Sequence, residues 1–177
     1  MKEGGLVMKK FLVFVLMVFM SVMFLNQSGF CQSKTGKAIS AKDLMIKSEV
    51  ETAISMLQAV YEKHQKGEMT LEQAKKLGAD LLRKLSYGTD GYFWADTEQG
   101  VNVVLYGRQD VEGRSRLENK DKNGTFYVKE FIVNAKAGGG YVAYWFPKRG
   151  ESIAKSKRSY TMLFKPFGWV VGTGYYR

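Results

Sequence analysis

The sequence predicts one α+β domain built on an antiparallel sheet, and three observations predict it. Apolar residues recur at helical spacing through two successive segments between residues 41 and 85. After Asp90-Gly91 the period shortens to that of strands, with Gly- and Pro-bearing turns between the runs. A single helical segment interrupts those strands, which makes the chain mixed rather than all-β.

Ahead of the domain stands a leader. Lys9 and Lys10 precede an unbroken apolar run of 15 residues, Phe11 to Leu25, and polar Asn26-Gln27-Ser28 follow. A positive start, a short apolar stretch and a polar exit make a secretory signal over residues 1–31. The run falls short of the ~20 residues that span a bilayer, so cleavage is expected, with Gly29-Phe30-Cys31 fitting a cut after Cys31. An uncleaved leader would instead anchor the chain on the outer face of the cytoplasmic membrane. Met8 offers an alternative start. Cys31 is the sole cysteine, so no intramolecular disulfide can form, and bulky Phe30 before it argues against lipid acylation. Residues 32–40 are small and polar, a linker, and residues 41–177 form the domain. The expected location is the periplasm or that outer face.

The elements follow in order. Ser40, three residues before Asp43, resembles a capping box and opens a helix from Ala41 to about Gln65. Leu44, Val50, Ile54, Leu57 and Tyr61 form its apolar positions, and at 1.5 Å per residue it runs roughly 37 Å. Gly67 ends it. Thr70 to Gln73 is a second capping box; Leu71, Ala74, Leu77, Leu81 and Leu85 stripe the next helix, closed by Tyr87-Gly88. Tyr92–Asp96 and Val101–Tyr106 read as a hairpin turning near Gly100. Residues 107–124 make a long charged loop of the kind that carries function. Phe126, Val128, Phe131, Ile132 and Ala135 suggest a short helix stopped by Gly138-Gly139-Gly140. Three strands close the chain: Tyr141–Phe146, Ile153–Phe164 and Trp169–Tyr175. All three tryptophans fall in the strand half, dense enough to line a pocket as well as a core.

The residue types exclude much chemistry. One histidine, His64, sits in the last turn of a helix, where a cation is favoured and a solvated role expected. One histidine and one cysteine give no zinc cluster. No Gly-x-Ser-x-Gly elbow, phosphate loop or dinucleotide fingerprint occurs. No catalytic residue, metal or cofactor is therefore expected. The formal net charge of +10 suits an anionic partner without choosing one. Lys148, Arg149, Lys155, Lys157, Arg158 and Lys165 interleave with Tyr144, Trp145, Phe146 and Tyr160, a pattern able to stack bases and hold phosphates. A leader sends the protein away from nucleic acid, so none is expected. Tyrosine hydroxyls, a fixed cation and backbone N–H groups suit a small carboxylate.

Six motifs in order make the pattern specific: Tyr87-Gly-Thr-Asp-Gly-Tyr-Phe-Trp94; Glu112-Gly113; Lys120-Asp-Lys-Asn-Gly124; Gly138-Gly-Gly-Tyr-Val-Ala-Tyr-Trp-Phe-Pro147; Lys157-Arg-Ser-Tyr160; and Phe167-Gly-Trp-Val-Val-Gly-Thr-Gly-Tyr175. Together they resemble the single Cache domain, type 2, the extracytoplasmic sensor domain of bacterial chemoreceptors and histidine kinases, over about residues 40–177. The resemblance implies a PAS-like Cache fold, with a long N-terminal helix packed beside a central antiparallel sheet of about five strands. It implies a short organic acid as ligand, of the acetate, propionate, pyruvate or lactate type, and a role in signal transduction or chemotaxis. Many relatives carry His-Pro near the end of the second strand, where this chain has Tyr106-Gly107. By motif, Tyr92 and Trp94 are expected as pocket walls, Tyr106, Tyr144 and Tyr160 as hydroxyl donors, and Lys157 as the cation for the carboxylate. Arg158 replaces Lys157 if the register shifts by one. Gly172 and Gly174 read as strand-packing glycines. The expected partners are the small carboxylate and a membrane-bound signalling protein, with a homodimer through the long helix. The competing expectation is an interaction protein that keeps the fold without a ligand and uses that helix for contact.

Overall fold

The computed structural model describes residues 39–106 and 108–177. The leader, residues 1–31, and all but the end of the linker lie outside them. The chain runs α1 (Ala41–Gln65), α2 (Leu71–Lys84), β1 (Ser86–Tyr87), β2 (Gly91–Thr97), β3 (Asn102–Leu105), a short 3-10 turn, and α3 (Tyr127–Lys136). Strands β4 (Gly140–Pro147), β5 (Ala154–Phe164) and β6 (Trp169–Tyr176) complete it. Among the described residues no helix is long and apolar enough to cross a membrane.

Both long helices start on reciprocal caps. Ser40 Oγ accepts from the Asp43 N–H at 3.1 Å while the Asp43 carboxylate accepts from the Ser40 N–H at 3.4 Å. Thr70 and Gln73 repeat the arrangement at 3.2 and 2.8 Å. Each cap satisfies two donors that a helix start otherwise leaves bare. Gly67, just past the end of α1, takes φ +77°, a left-handed conformation that glycine adopts without steric cost. His64 is not simply solvated: its Nδ1 lies 3.1 Å from the Met69 carbonyl oxygen and ties α1 to the turn that follows.

The sheet has six strands in the order β1-β2-β6-β5-β4, with β3 also paired to β2, and every pairing is antiparallel. The strand beyond the expected five is β1. The second helix stops at Lys84, Leu85 turns extended, and Tyr87 pairs with Gly91 instead of closing the helix. Two residues are too short to display alternation, so this strand leaves no period in the sequence.

Helices cover both sheet faces, and alternation along each strand divides the core. Phe93, Ala95, Phe164, Trp169 and Val171 face α1 and α2, against Ala53, Leu57, Val60, Ala74 and Leu82. Trp94, Leu105, Val142, Tyr144 and Val170 face α3, against Val128, Phe131 and Ile132. Successive residues such as Val170 and Val171 thus belong to different layers, as a period of two requires. Gly172 is needed where it stands, since a Cβ there would overlap the Trp94 indole that lies across it.

The start of α1 is pinned by polar contacts. Arg158 Nε donates to Asp43 Oδ1 at 2.6 Å, the Tyr175 hydroxyl donates to the same oxygen at 3.1 Å, and the Tyr141 hydroxyl donates to the Asp43 carbonyl at 3.0 Å. Beyond this pin the contact is apolar, through Ile46, Val50, Ala53 and Leu57.

Candidate ligand-binding site

Strand register assembles the site. Tyr144 pairs with Lys157, and Lys157 pairs with Tyr176, so these three side chains stand in one row on the α3 face. Lys157 is 1% exposed, and its Nζ donates to the Tyr92 hydroxyl at 2.7 Å. Tyr176 donates to the Pro147 carbonyl at 2.8 Å and therefore accepts from Tyr92, 3.3 Å away. The result is one directed chain, from Lys157 to Tyr92 to Tyr176 to a backbone carbonyl. The ammonium also lies over the rings of Tyr92 at 4.2 Å, Tyr176 at 4.9 Å and Phe146 at 5.5 Å.

An ammonium carries three donors. Among the described residues Lys157 uses one of them and meets no carboxylate. Burial pushes its pKa below the ordinary lysine value, with Tyr92 opposing. Tyr92 is itself raised by burial but brought below its ordinary value by Lys157. The rings supply favourable quadrupole contacts, yet two donor positions stay open in a water-poor setting, where an unmet polar group is costly.

A second buried charge is satisfied. The chain after β3 folds back so that the Arg116 N–H donates to the Gly100 carbonyl at 2.8 Å, which sets Arg116 beside β2. Its Nη1 meets both Asp96 oxygens, at 3.0 and 3.1 Å, and Asn102 Nδ2 donates to Asp96 at 2.8 Å. Burial pushes the Asp96 carboxyl up, against the pull of Arg116 and Asn102. The Arg116 guanidinium lies 5.9 Å from the Tyr127 ring, and Tyr127 stacks on Tyr144 at 4.9 Å. The Arg116 charge works against that of Lys157, while the Asp96 carboxylate is taken up by Arg116 and Asn102.

Two concavities open beside the row. A hollow of about 70 Å³ lies between Tyr92, Leu105, Tyr106, Phe146 and the β4–β5 turn. A larger one of about 410 Å³ adjoins it, bounded by the β1–β2 turn, Tyr92, Tyr106, Tyr176 and the same turn. Tyr92 and Phe146, walls of the small hollow, are also rings that flank the Lys157 ammonium.

The expected site residues divide. Lys157, Tyr92 and Tyr106 come together, with the Tyr106 ring stacked on Tyr92 at 5.6 Å. Tyr144 stands beside Lys157, its hydroxyl 3.1 Å from Ser159 Oγ. Trp94 lies deeper, stacked on Phe131 at 4.3 Å, with its buried indole N–H lacking a partner among the described residues. Tyr160 is not brought to the site. It lies on the opposite face against Ile46 and Val50 of α1, its ring 4.8 Å from Tyr141. Lys157 and Tyr160 are three apart on one strand, an odd spacing that alternation sends to opposite faces. Arg158 likewise faces α1 and holds Asp43, so it does not stand in for Lys157.

Sequence reasoning missed Tyr176, Phe146, Asp96 and Arg116. Asp96 shares the parity of Tyr92 and Trp94 on β2, so a charge on that apolar face was a readable signal. Phe146 has the parity of Tyr144. Tyr176 becomes visible only with the β5–β6 register, and Arg116 sits in a loop without any period.

A long N-terminal helix packed beside an antiparallel sheet is a Cache, or PAS-like, arrangement. The sequence profile of the family Single Cache domain 2 matches residues 38–177, and the chain belongs to that family. The sensor histidine kinase MctS of Rhizobium johnstonii is 33% identical over 138 residues, 78% of this chain and 29% of the kinase. The methyl-accepting chemotaxis protein McpP of Pseudomonas putida is 29% identical over 143 residues, 80% of this chain and 26% of the receptor. The chain thus spans less than a third of the length of these relatives. A Cache chemosensory domain solved to explain carboxylic acid recognition superposes with a TM-score of 0.74 at 31% identity, covering 77% of this chain and 93% of that one. A periplasmic sensor domain of a chemotaxis protein gives a TM-score of 0.73 at 28% identity, covering 75% and 93%.

Proposed function

We propose that residues 41–177 bind a short organic acid, of the acetate, propionate, pyruvate or lactate type, outside the cytoplasm and report its presence to a signalling protein. In this reading the leader exports the domain or holds it at the membrane. The observation that carries the proposal is Lys157, a buried ammonium with one hydrogen bond and no counter-ion among the described residues. A carboxylate entering the small hollow past Tyr92 and Phe146 supplies acceptors for the open donors, and such charge-assisted bonds are the strong ones. The carboxylic acid recognition of a 31%-identical Cache domain supports the same ligand class. Ile39, Leu44 and Met45, exposed at the start of α1, favour a contact of that helix with a second copy or a membrane-bound signalling protein.

The test is calorimetric titration of the full chain with propionate as a function of pH. The groups acting on Lys157 are Tyr92, Tyr144, Tyr176 and Arg116, with Asp90 as a weaker, opposing charge. Below the depressed pKa of Lys157 the ammonium is charged and binding has its full strength. As pH rises through that value the charge is lost, and Tyr92 ionisation then acts in the same direction. Affinity is therefore expected to fall as pH is raised, with the fall beginning below the range in which free lysine titrates. An affinity that stays flat as pH is raised removes Lys157 from the site.

A further inference from the structure

Resting on the reading that Lys157 holds a carboxylate, we propose that Arg149 forms a second anion subsite, so that the preferred ligands among short acids are dicarboxylates. The two concavities share their walls: Tyr92, Tyr106, Lys148, Arg149 and Glu151 line both. The smaller one, about 70 Å³, has room for the head of a two- or three-carbon acid, and the other, about 410 Å³, is far larger than such an acid needs. The tip of the β4–β5 hairpin lines both, so a ligand seated in the smaller hollow lies beside that tip.

The charges at that tip are mostly spoken for. Lys148 pairs with Asp90 at 3.2 Å, Glu151 with Lys155 at 2.7 Å, and Arg108, at the edge of the hollow, with Asp110 at 3.0 Å. Among the described residues Arg149 is the cation of this lining with no acidic partner. Its guanidinium lies over the Tyr106 ring at 4.0 Å and donates to the Tyr106 hydroxyl. That ring is stacked on Tyr92, which in turn receives the Lys157 hydrogen bond. One cation is thus buried and the other exposed, joined by a column of two stacked phenols that fixes their relation. Arg149 keeps donors free in a planar fork suited to a second carboxylate. Tyr106 gains a specific role here: it serves as the platform on which Arg149 rests, which an imidazole at that position would provide with less area.

Calorimetry on the full chain with succinate and butyrate, four-carbon acids differing in the second carboxylate, tests the subsite. Succinate is expected to bind about tenfold or more tighter than butyrate, the worth of a charge-assisted contact. Arg149→Gln is expected to collapse that ratio towards one. Equal affinities in the unaltered protein, or a succinate preference that survives Arg149→Gln, overturn the subsite while leaving the Lys157 reading intact. Failure of both acids to bind removes the carboxylate reading, and the second subsite with it.

Discussion

Arg116→Ala is expected to destabilise the domain by about 3–5 kcal/mol, the penalty for leaving one member of a buried ion pair alone. Arg116 and Asp96 are 6% and 1% exposed at their side chains and lie 3.0 Å apart, so neither can turn to water when its partner is removed. Asn102 would still donate to Asp96, but one amide does not neutralise a buried carboxylate. Urea denaturation of the full chain measures the loss. The double replacement Asp96→Leu with Arg116→Met separates charge from packing. It is expected to recover most of the stability, since a well-packed apolar pair often matches a buried salt bridge. A double variant as unstable as the single one would place the cost in lost packing around Tyr127.

Lys157→Met is expected to move stability and binding in opposite directions. Methionine keeps the length of the stem and its ring contacts but removes the charge. The native state then no longer bears a desolvated ammonium, and the ligand-free domain is expected to be more stable than the parent. The sign follows from the depressed pKa: burial disfavours the charged lysine in the folded protein, a cost the unfolded chain does not bear. Acid binding is expected to weaken by about ten- to a hundredfold or more, with the loss of a charge-assisted bond. Thermal unfolding with and without propionate reads both effects in one experiment, because a ligand adds stability in proportion to its occupancy. A variant less stable than the parent, with unchanged propionate response, would make Lys157 a structural residue.

How much of this was readable depended on whether a residue belongs to a repeating pattern. Ser40 and Thr70 with their partners mark both helix starts, and the observed bounds of α1 follow from them. The two hairpin strands and the last three strands stand out as β-prone runs between turn residues, and the α3 segment carries a helical period. The short β1 carries no such mark. Within the site, Lys157, Tyr92 and Tyr106 were reached through motif resemblance, but face assignment needed parity. Applied to β5, parity separates Lys157 from Tyr160 at once; a motif quoted as a block conceals it. Tyr176 and Arg116 depend on register and on a loop folding back, both products of tertiary structure that local sequence does not encode.

The polar pin at the head of α1 has a mechanical consequence. Asp43 is gripped by Arg158 and Tyr175, the residues next in sequence to Lys157 and Tyr176, so one peptide unit separates the buried lysine proposed to hold the ligand from the anchor of the helix. The remainder of α1 rests on apolar packing, with Tyr160, Phe164 and Phe167 among the rings it meets, and His64 at its far end makes a further polar contact with the adjoining turn. A shift of β5 or β6 at Lys157 or Tyr176 would therefore be expected to reach the head of α1 through the adjoining Arg158 and Tyr175.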